Sequence, residues 1–398
     1  MLAINGGTPV KTTKIATWPQ VNEFDRELLA ATVSAGNYRS GALRSEFESI
    51  FAADCGVEHC FAVANGTVSL ELILRAMGIG LGDEVILPPY TFVATLSSIV
   101  FTGATPVFAD IDGGTYNISP SAAEEKITEK TKAIVAVAVG GCPPDLDALE
   151  AIAKKHGVRL IVDAAQGVGA VWKGKSICAY GDAASISCQN TKNLTCGEGG
   201  IITTNDNELA EKLAIMLNGG TVDGKYVSVA QDHLITEFQA ALLLSQYDKL
   251  DGEVVLRDKN AAYLSGRLRD LEFISGAYYD PRITRHAYHI YVMMYNSELL
   301  AEKGVTREQL RLAMKAEGVS VAHGYEPLYT FPCVTSPDTE RMINGKIDTT
   351  PLPVCERASY AEGAWIMQGA LLGTRSDMDA IADAFIKVWD HIDDVRKI

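Results

Sequence analysis

The chain is short of positive charge. Its 35 lysines and arginines stand against 50 aspartates and glutamates, a formal net charge of −15 at pH 7. That sign argues against nucleic acid or an anionic membrane as the main partner, and it also serves solubility. Long apolar runs are missing too. The longest, Ala133 to Val139, is far too short to cross a bilayer. The start, Met1-Leu2-Ala3-Ile4-Asn5-Gly6-Gly7, has neither the basic stretch nor the apolar core of a secretion signal, so the expected location is the cytoplasm. None of the eight cysteines forms a C-x-x-C pair. In a chain of this length they read as reduced thiols, with Cys188 and Cys196 as small packing residues. No G-x-G-x-x-G follows a strand, so a dinucleotide fold is not expected. His286 and His289, three apart in an extended run, would face opposite sides, and no metal site is expected.

What is present is enough chain for two bodies. The 398 residues are 47% hydrophobic and 21% charged, ordinary values for a globular protein. From Cys60 to Thr204 short strand-like runs alternate with amphipathic helical stretches, among them strands Glu84 to Leu87, Leu160 to Asp163 and Ala183 to Cys188. Helices are expected from Thr67 to Met77, Phe92 to Phe101 and Asp145 to His156. Asn22 is placed to cap a helix ending at Gly36, and Ser119-Pro120 opens another. This alternation predicts an α/β fold, with a large domain whose mainly parallel sheet is covered by helices. Beyond Leu250 the rhythm changes to helices at 256–268, 307–317 and 377–391 around a strand at 288–295. That predicts a smaller α+β C-terminal domain. The expected division is 1–250 and 251–398, with segment 1–20 packing on the body.

Two residues carry the chemical argument. Lys192 lies in a loop between apolar, strand-like runs and is surrounded by small and polar residues, in Ser187-Cys188-Gln189-Asn190-Thr191-Lys192 followed by Gly197-Glu198-Gly199-Gly200. That is a poor place for a surface lysine and a good one for a lysine that forms an imine. Asp163 ends the strand Arg159 to Asp163 and is followed by Ala164-Ala165-Gln166. A carboxylate there either caps the next helix or faces a ligand. A strand-end Asp and a strand-flanked Lys together suit pyridoxal 5'-phosphate (PLP). The amine bonds to the cofactor, and the carboxylate keeps the pyridine nitrogen protonated. Asn65-Gly66-Thr67, between a strand and a helix, is either a phosphate cradle, with Thr67 and Ser187 as hydroxyl donors, or an ordinary glycine turn with a threonine cap.

With these motifs the chain resembles the DegT/StrS-type PLP-dependent aminotransferases, which aminate keto sugars and keto-cyclitols, over nearly its whole length. Further matches are Asn5-Gly6-Gly7, Phe101 to Asp110, Thr236 to Ala241 and Glu326-Pro327-Leu328-Tyr329. The resemblance implies that Lys192 forms the imine and Asp163 pairs with the pyridine nitrogen. Gln166 would then sit near the cofactor's 3-oxygen and Phe92 would stack on its ring, where a lone Phe would otherwise read as core. It also implies a homodimer, glutamate or glutamine as amino donor through a pyridoxamine form, and a keto-cyclitol or keto sugar as acceptor. A nucleotide-sugar aminotransferase and a PLP-binding regulator without turnover are the alternatives.

The departures from the family pattern are equally specific. Ala138-Val139-Gly140-Gly141 stands where many members have His-Leu-Tyr-Gly. Asp232 stands where many have an Asn that reaches the neighbouring subunit's cofactor phosphate. An Asp there is expected to turn away or to pair with a cation such as His233 or Lys225. Gln189 replaces a His common in nucleotide-sugar enzymes and resembles the aminocyclitol and 3-amino-5-hydroxybenzoate branch. Tyr38, Arg39, Tyr325 and Tyr329 are substrate-pocket candidates that packing would explain as well.

Overall fold

Seven strands form the central sheet of the computed structural model, which describes residues 1–13, 15–39, 41–276, 278 and 280–398. They are β1 (His59–Val63), β2 (Glu84–Leu87), β3 (Thr105–Phe108), β4 (Thr131–Val137), β5 (Arg159–Asp163), β6 (Ala183–Ser187) and β7 (Gly200–Thr204). Their order across the sheet is β1-β7-β6-β5-β4-β2-β3, and only β7 runs against the rest. Strands β4 to β6 are buried almost throughout, as a sheet covered on both faces requires. The fold is therefore the expected α/β type.

Local signals explain the helices around it. α1 (Glu23–Ala35) starts at Asn22, whose side chain accepts from the Asp25 N–H, and stops at Gly36 in the left-handed conformation. α2 (Leu43–Cys55) buries Phe47 and Phe51. α3 (Gly66–Ala76) is capped by the Asn65 side chain. Thr67 is thus inside the helix, and the cap expected of it belongs to Asn65. α4 (Val93–Thr102) begins one residue later than expected, with Phe92 as its extended N-cap residue.

The next helix departs from the sequence reading. α5 (Glu237–Leu268) runs unbroken for 32 residues, so the boundary expected at 250/251 falls inside it. Leu243, Leu250 and Val254 pack in a core against the large sheet, whereas Ala261, Leu264 and Leu268 pack in the C-terminal core. Each such buried leucine contributes roughly 1.5–3 kcal/mol, so both bodies draw on one helix. The C-terminal core holds a second sheet of β8 (Ile274–Ser275), β9 (Ile290–Tyr295) and β10 (Gly363–Met367), with α6 (Arg307–Ala316) and α7 (Arg375–Asp390). The N-terminal segment packs on this C-terminal part. Leu2 is in its core, Glu317 accepts the Ala3 and Val10 N–H groups, and Lys11 pairs with Asp377. Among the described residues no helix is long and apolar enough to cross a membrane.

Candidate active site

Three chain segments arrive at the same edge of the large sheet. β5 ends at Asp163, which lies opposite Ser185 of β6. β6 ends at Ser187, opposite Gly200 of β7, and Gly200 lies opposite Val63 at the end of β1. β1 then runs through Asn65 into α3. The carboxyl ends of parallel strands are where α/β sheets open a crevice.

Asp163 is 3% exposed. Its two oxygens accept from Thr95 Oγ1 at 2.9 Å and from the Ala165 N–H at 3.1 Å. Burial pushes its pKa up, while these two bonds and the nearby charge of Lys192 pull it down. A buried carboxylate with two donors is under-compensated. Lys192 is half-buried, and no hydrogen bond or ion pair among the described residues uses its Nζ. Burial lowers its pKa, and Asp163 opposes that shift. The pair is thus an amine biased toward its neutral, nucleophilic form and an acid with capacity for one more donor.

The start of α3 is equally defined. A Cβ on Gly66 would lie 2.8 Å from the Ser187 Cβ, so only glycine lets α3 come this close to the end of β6. The first N–H groups of α3, at Gly66 and Thr67, have no carbonyl of their own helix to meet. They sit beside the Ser187 and Thr67 hydroxyls at the positive end of the helix dipole. Asp163 for a ring nitrogen, Lys192 for an aldehyde and this helix start for a phosphate form a donor set that fits PLP.

The remaining candidates separate. Phe92 is 57% exposed, which excludes the core reading. Gln166 is buried. It accepts the Gly140 N–H at 2.8 Å and donates to the Tyr325 hydroxyl at 3.0 Å. Tyr325 thereby joins the Asp163 side of the site, and burial plus the charge of Asp163 push its pKa up. Gln189 closes the lysine turn, its Oε1 accepting from the Thr191 N–H and Oγ1, both at 2.8 Å. Tyr329 is buried against Phe108, accepts the Leu352 N–H and donates to Glu356 at 2.8 Å, contacts that suit the packing alternative its sequence left open. Asp232 is paired as expected, but with a different cation. Arg39 Nη2 lies 2.7 Å from its carboxylate, and neither His233 nor Lys225 makes that bond. Tyr38 stacks on Phe238 with ring centres 4.8 Å apart.

Sequence reading missed Thr95, a polar residue in the apolar run of α4 that faces Asp163. It also missed the partners of the lysine loop, which come from distant segments. His286 and His289 are both buried, and among the described residues no group of three or more His, Cys, Asp or Glu is arranged for a metal. Cys188 and Cys196 are buried, and burial pushes the Cys196 thiol up to about 12. A cavity of about 730 Å³ between α1, α2 and α5 contains none of the candidate residues.

A strand-edge acid, a loop lysine and a free helix start on a doubly covered sheet suit an enzyme that works through a lysine amine. The family is specific: the DegT/DnrJ/EryC1/StrS aminotransferase model matches residues 19–346, and the chain belongs to that family of aminotransferases. The L-glutamine:2-deoxy-scyllo-inosose aminotransferase of Streptomyces paromomycinus is 37% identical over 418 residues, covering 98% of each chain. The L-glutamine:scyllo-inosose aminotransferase of Streptomyces griseus is 33% identical over 424 residues, covering 100% of this chain and 99% of that one. The crystal structure of 3-amino-5-hydroxybenzoic acid synthase matches with a TM-score of 0.83 at 28% identity, over 95% of this chain and 100% of that one.

Proposed function

We propose that this aminotransferase uses PLP to move an amino group from L-glutamine or L-glutamate to a keto-cyclitol, with scyllo-inosose-type rings as the acceptor class and a keto sugar as the alternative. The observation that carries the chemistry is the juxtaposition of buried Asp163 with an unpaired, half-buried Lys192 at the sheet edge. The acceptor class is supported by curated relatives that cover the whole chain and carry those substrates in their names.

When bound, PLP supplies an aldehyde that carries the amino group and a protonated ring that takes up an electron pair. The protein's own residues divide the remaining work. Asp163, oriented by Thr95 and the Ala165 N–H, would accept a hydrogen bond from the protonated ring nitrogen and so keep the proton on that nitrogen. Lys192 would be the amine that holds the aldehyde. When free, that amine would take a proton from the amine-bearing carbon of one substrate and return one to the other. The start of α3, with Thr67 and Ser187, would hold the phosphate. Gln166 and Phe92 would bound the ring, and Tyr38, Arg39, Gln189 and Tyr325 are the residues left to meet the substrate.

A homodimer that completes the site is part of this reading. Its support is that large apolar side chains, Phe92, Tyr226 and Val229 among them, stand exposed in the single chain. The test separates the half-reactions. The PLP form is mixed with L-glutamine or L-glutamate, and loss of its visible absorbance is followed. The aminated form is then offered scyllo-inosose, 2-deoxy-scyllo-inosose and nucleotide keto sugars. Recovery with an inosose is expected. Recovery with nucleotide sugars alone would overturn the acceptor class, and no amine uptake from any donor would favour a binding protein.

A further inference from the structure

Lys192 sits in a loop whose residues on both sides are held from outside it. Before it, the Asn190 carbonyl accepts a hydrogen bond from Trp18 Nε1 at 2.9 Å, and Gln368 Nε2 lies 3.5 Å from the Thr191 carbonyl. After it, Asn193 gives its Nδ2 to the Ala287 carbonyl at 2.8 Å, and its Oδ1 meets His289 Nδ1 at 3.3 Å. The His289 carbonyl in turn accepts the Gln368 N–H at 3.1 Å. These holding residues come from the N-terminal segment, the approach to β9 and the end of β10.

Trp18 and Gln368 meet at a single residue. The Arg257 guanidinium, in α5, lies 5.1 Å from the Trp18 ring centre. Its Nε and Nη2 both donate to Gln368 Oε1, at 3.0 and 2.7 Å, and Nη2 also donates to Glu253 at 3.0 Å. Arg257 is fully buried, and its Nη1 has no hydrogen-bond partner among the described residues. A buried charge with an idle donor is an expensive way to pack a helix. Apolar residues of similar volume often do so at equal or lower cost. What the guanidinium adds is direction. Two donors on Gln368 Oε1 fix which way that amide points, and the cation under the indole face fixes the ring whose N–H holds Asn190.

We propose that Arg257 is a positioning residue for Lys192, acting through Trp18 and Gln368 on the two residues before it while Asn193 and His289 hold the chain after it. This rests on Lys192 being the reactive amine. The effect is to keep the amine inside the site, facing Asp163. The ionisable groups around that amine are Asp163, which favours its charge, and buried His289. Burial and the charges of Lys192 and Arg257 keep His289 neutral.

The test reads the amine directly in full-length protein without cofactor. Lysines are reductively methylated with ¹³C-formaldehyde, and the Lys192 resonance, identified by its loss in Lys192→Ala, is titrated. In the wild type it titrates below the ordinary lysine value of about 10.4. In Trp18→Phe, which keeps the ring and loses the donor, and in Gln368→Leu, the loosened loop admits water and the pKa rises by about one unit. Arg257→Met moves it at least as far where that variant folds. Covalent uptake of added PLP slows about tenfold, in line with the cost of misplacing a reacting group. Folded Trp18→Phe and Gln368→Leu variants that keep the wild-type pKa and uptake rate, and lose only melting temperature, would overturn the proposal. A wild-type Lys192 that takes up no PLP would instead remove the functional reading on which it rests.

Discussion

The proposed cofactor residues and the proposed substrate residues are built into the chain differently. On the cofactor side, Asp163 and Ser187 end neighbouring strands at 3% and 8% exposure, and each is fixed by backbone pairing. Among the substrate candidates, Arg39 and Asp232 meet each other on open surface, with side chains 74% and 55% exposed. The proposed reacting groups thus belong to a fixed floor, whereas this ion pair is held by exposed side chains. If the proposed function holds, the chemistry is written into the sheet, while acceptor choice is left to a surface that substrate or a second copy must finish. A fixed floor with an adaptable wall is how one fold serves many keto substrates.

Substitutions can break or sharpen that contrast. Lys192→Ala should have the largest effect. It should abolish amino transfer and the visible absorbance of attached cofactor while PLP still binds without a covalent bond, as spectra after gel filtration would reveal. Loss of a general acid–base group alone costs about 100- to 10,000-fold in rate. Asp163→Ala should come next. Losing a hydrogen bond to a charged group costs on the order of 1.5–3 kcal/mol, about tenfold to over 100-fold in PLP affinity, with a strong fall in kcat. Near wild-type turnover at saturating PLP would reduce Asp163 to a structural residue.

The same acid should work against the fold when cofactor is absent. Burial holds its pKa above the ordinary carboxylate value, so ionisation costs stability at neutral pH. Cofactor-free Asp163→Asn should therefore unfold at a higher temperature than cofactor-free wild type at pH 7. That gap should shrink as pH falls through the raised pKa and vanish below about 3.9. Calorimetry across that range would check it, and a wild type more stable than the variant at pH 7 would contradict the sign.

Smaller effects are expected away from the floor. Tyr329→Phe should cost about 1 kcal/mol of stability for the bonds to Leu352 and Glu356, leaving KM for the acceptor unchanged. A changed KM would return Tyr329 to the substrate pocket. Asp232→Asn should move PLP affinity least of all, because an exposed ion pair is worth about 0–1 kcal/mol. Equilibrium dialysis that found a tenfold tighter cofactor would mean that this carboxylate faces a phosphate after all.

Sequence patterns record local signals, and that sets how much of the molecule was legible in them. The strands and most helices were readable because Asn22 and Gly36 bracket α1, and the apolar run 133–137 announces a buried strand. Asp163 and Lys192 were readable because strand ends and strand-flanked loops mark the sheet edge. The course of α5 was not, because Asp248-Lys249-Leu250-Asp251-Gly252 interrupts the apolar rhythm. The helix persists there because both cores pack on it. The ion pair of Arg39 with Asp232 spans 193 positions, and the bond from Trp18 to Asn190 spans 172. No local pattern encodes such meetings. Tyr329 was left open between pocket and packing for the related reason that a tyrosine beside a matching motif carries no sign of which way it points.

The continuity of α5 also bears on how this protein can be taken apart. At 1.5 Å per residue its 32 residues form a rod of about 48 Å. Splitting the gene at codons 250 and 251, where the change of sequence rhythm puts the domain boundary, would cut that rod near its middle and leave four N–H and four C=O groups without partners. Two fragments made that way should be insoluble apart and should need co-expression to recover. A permissive site for a tag or a circular permutation belongs instead in an exposed turn, such as the one at Asn344-Gly345.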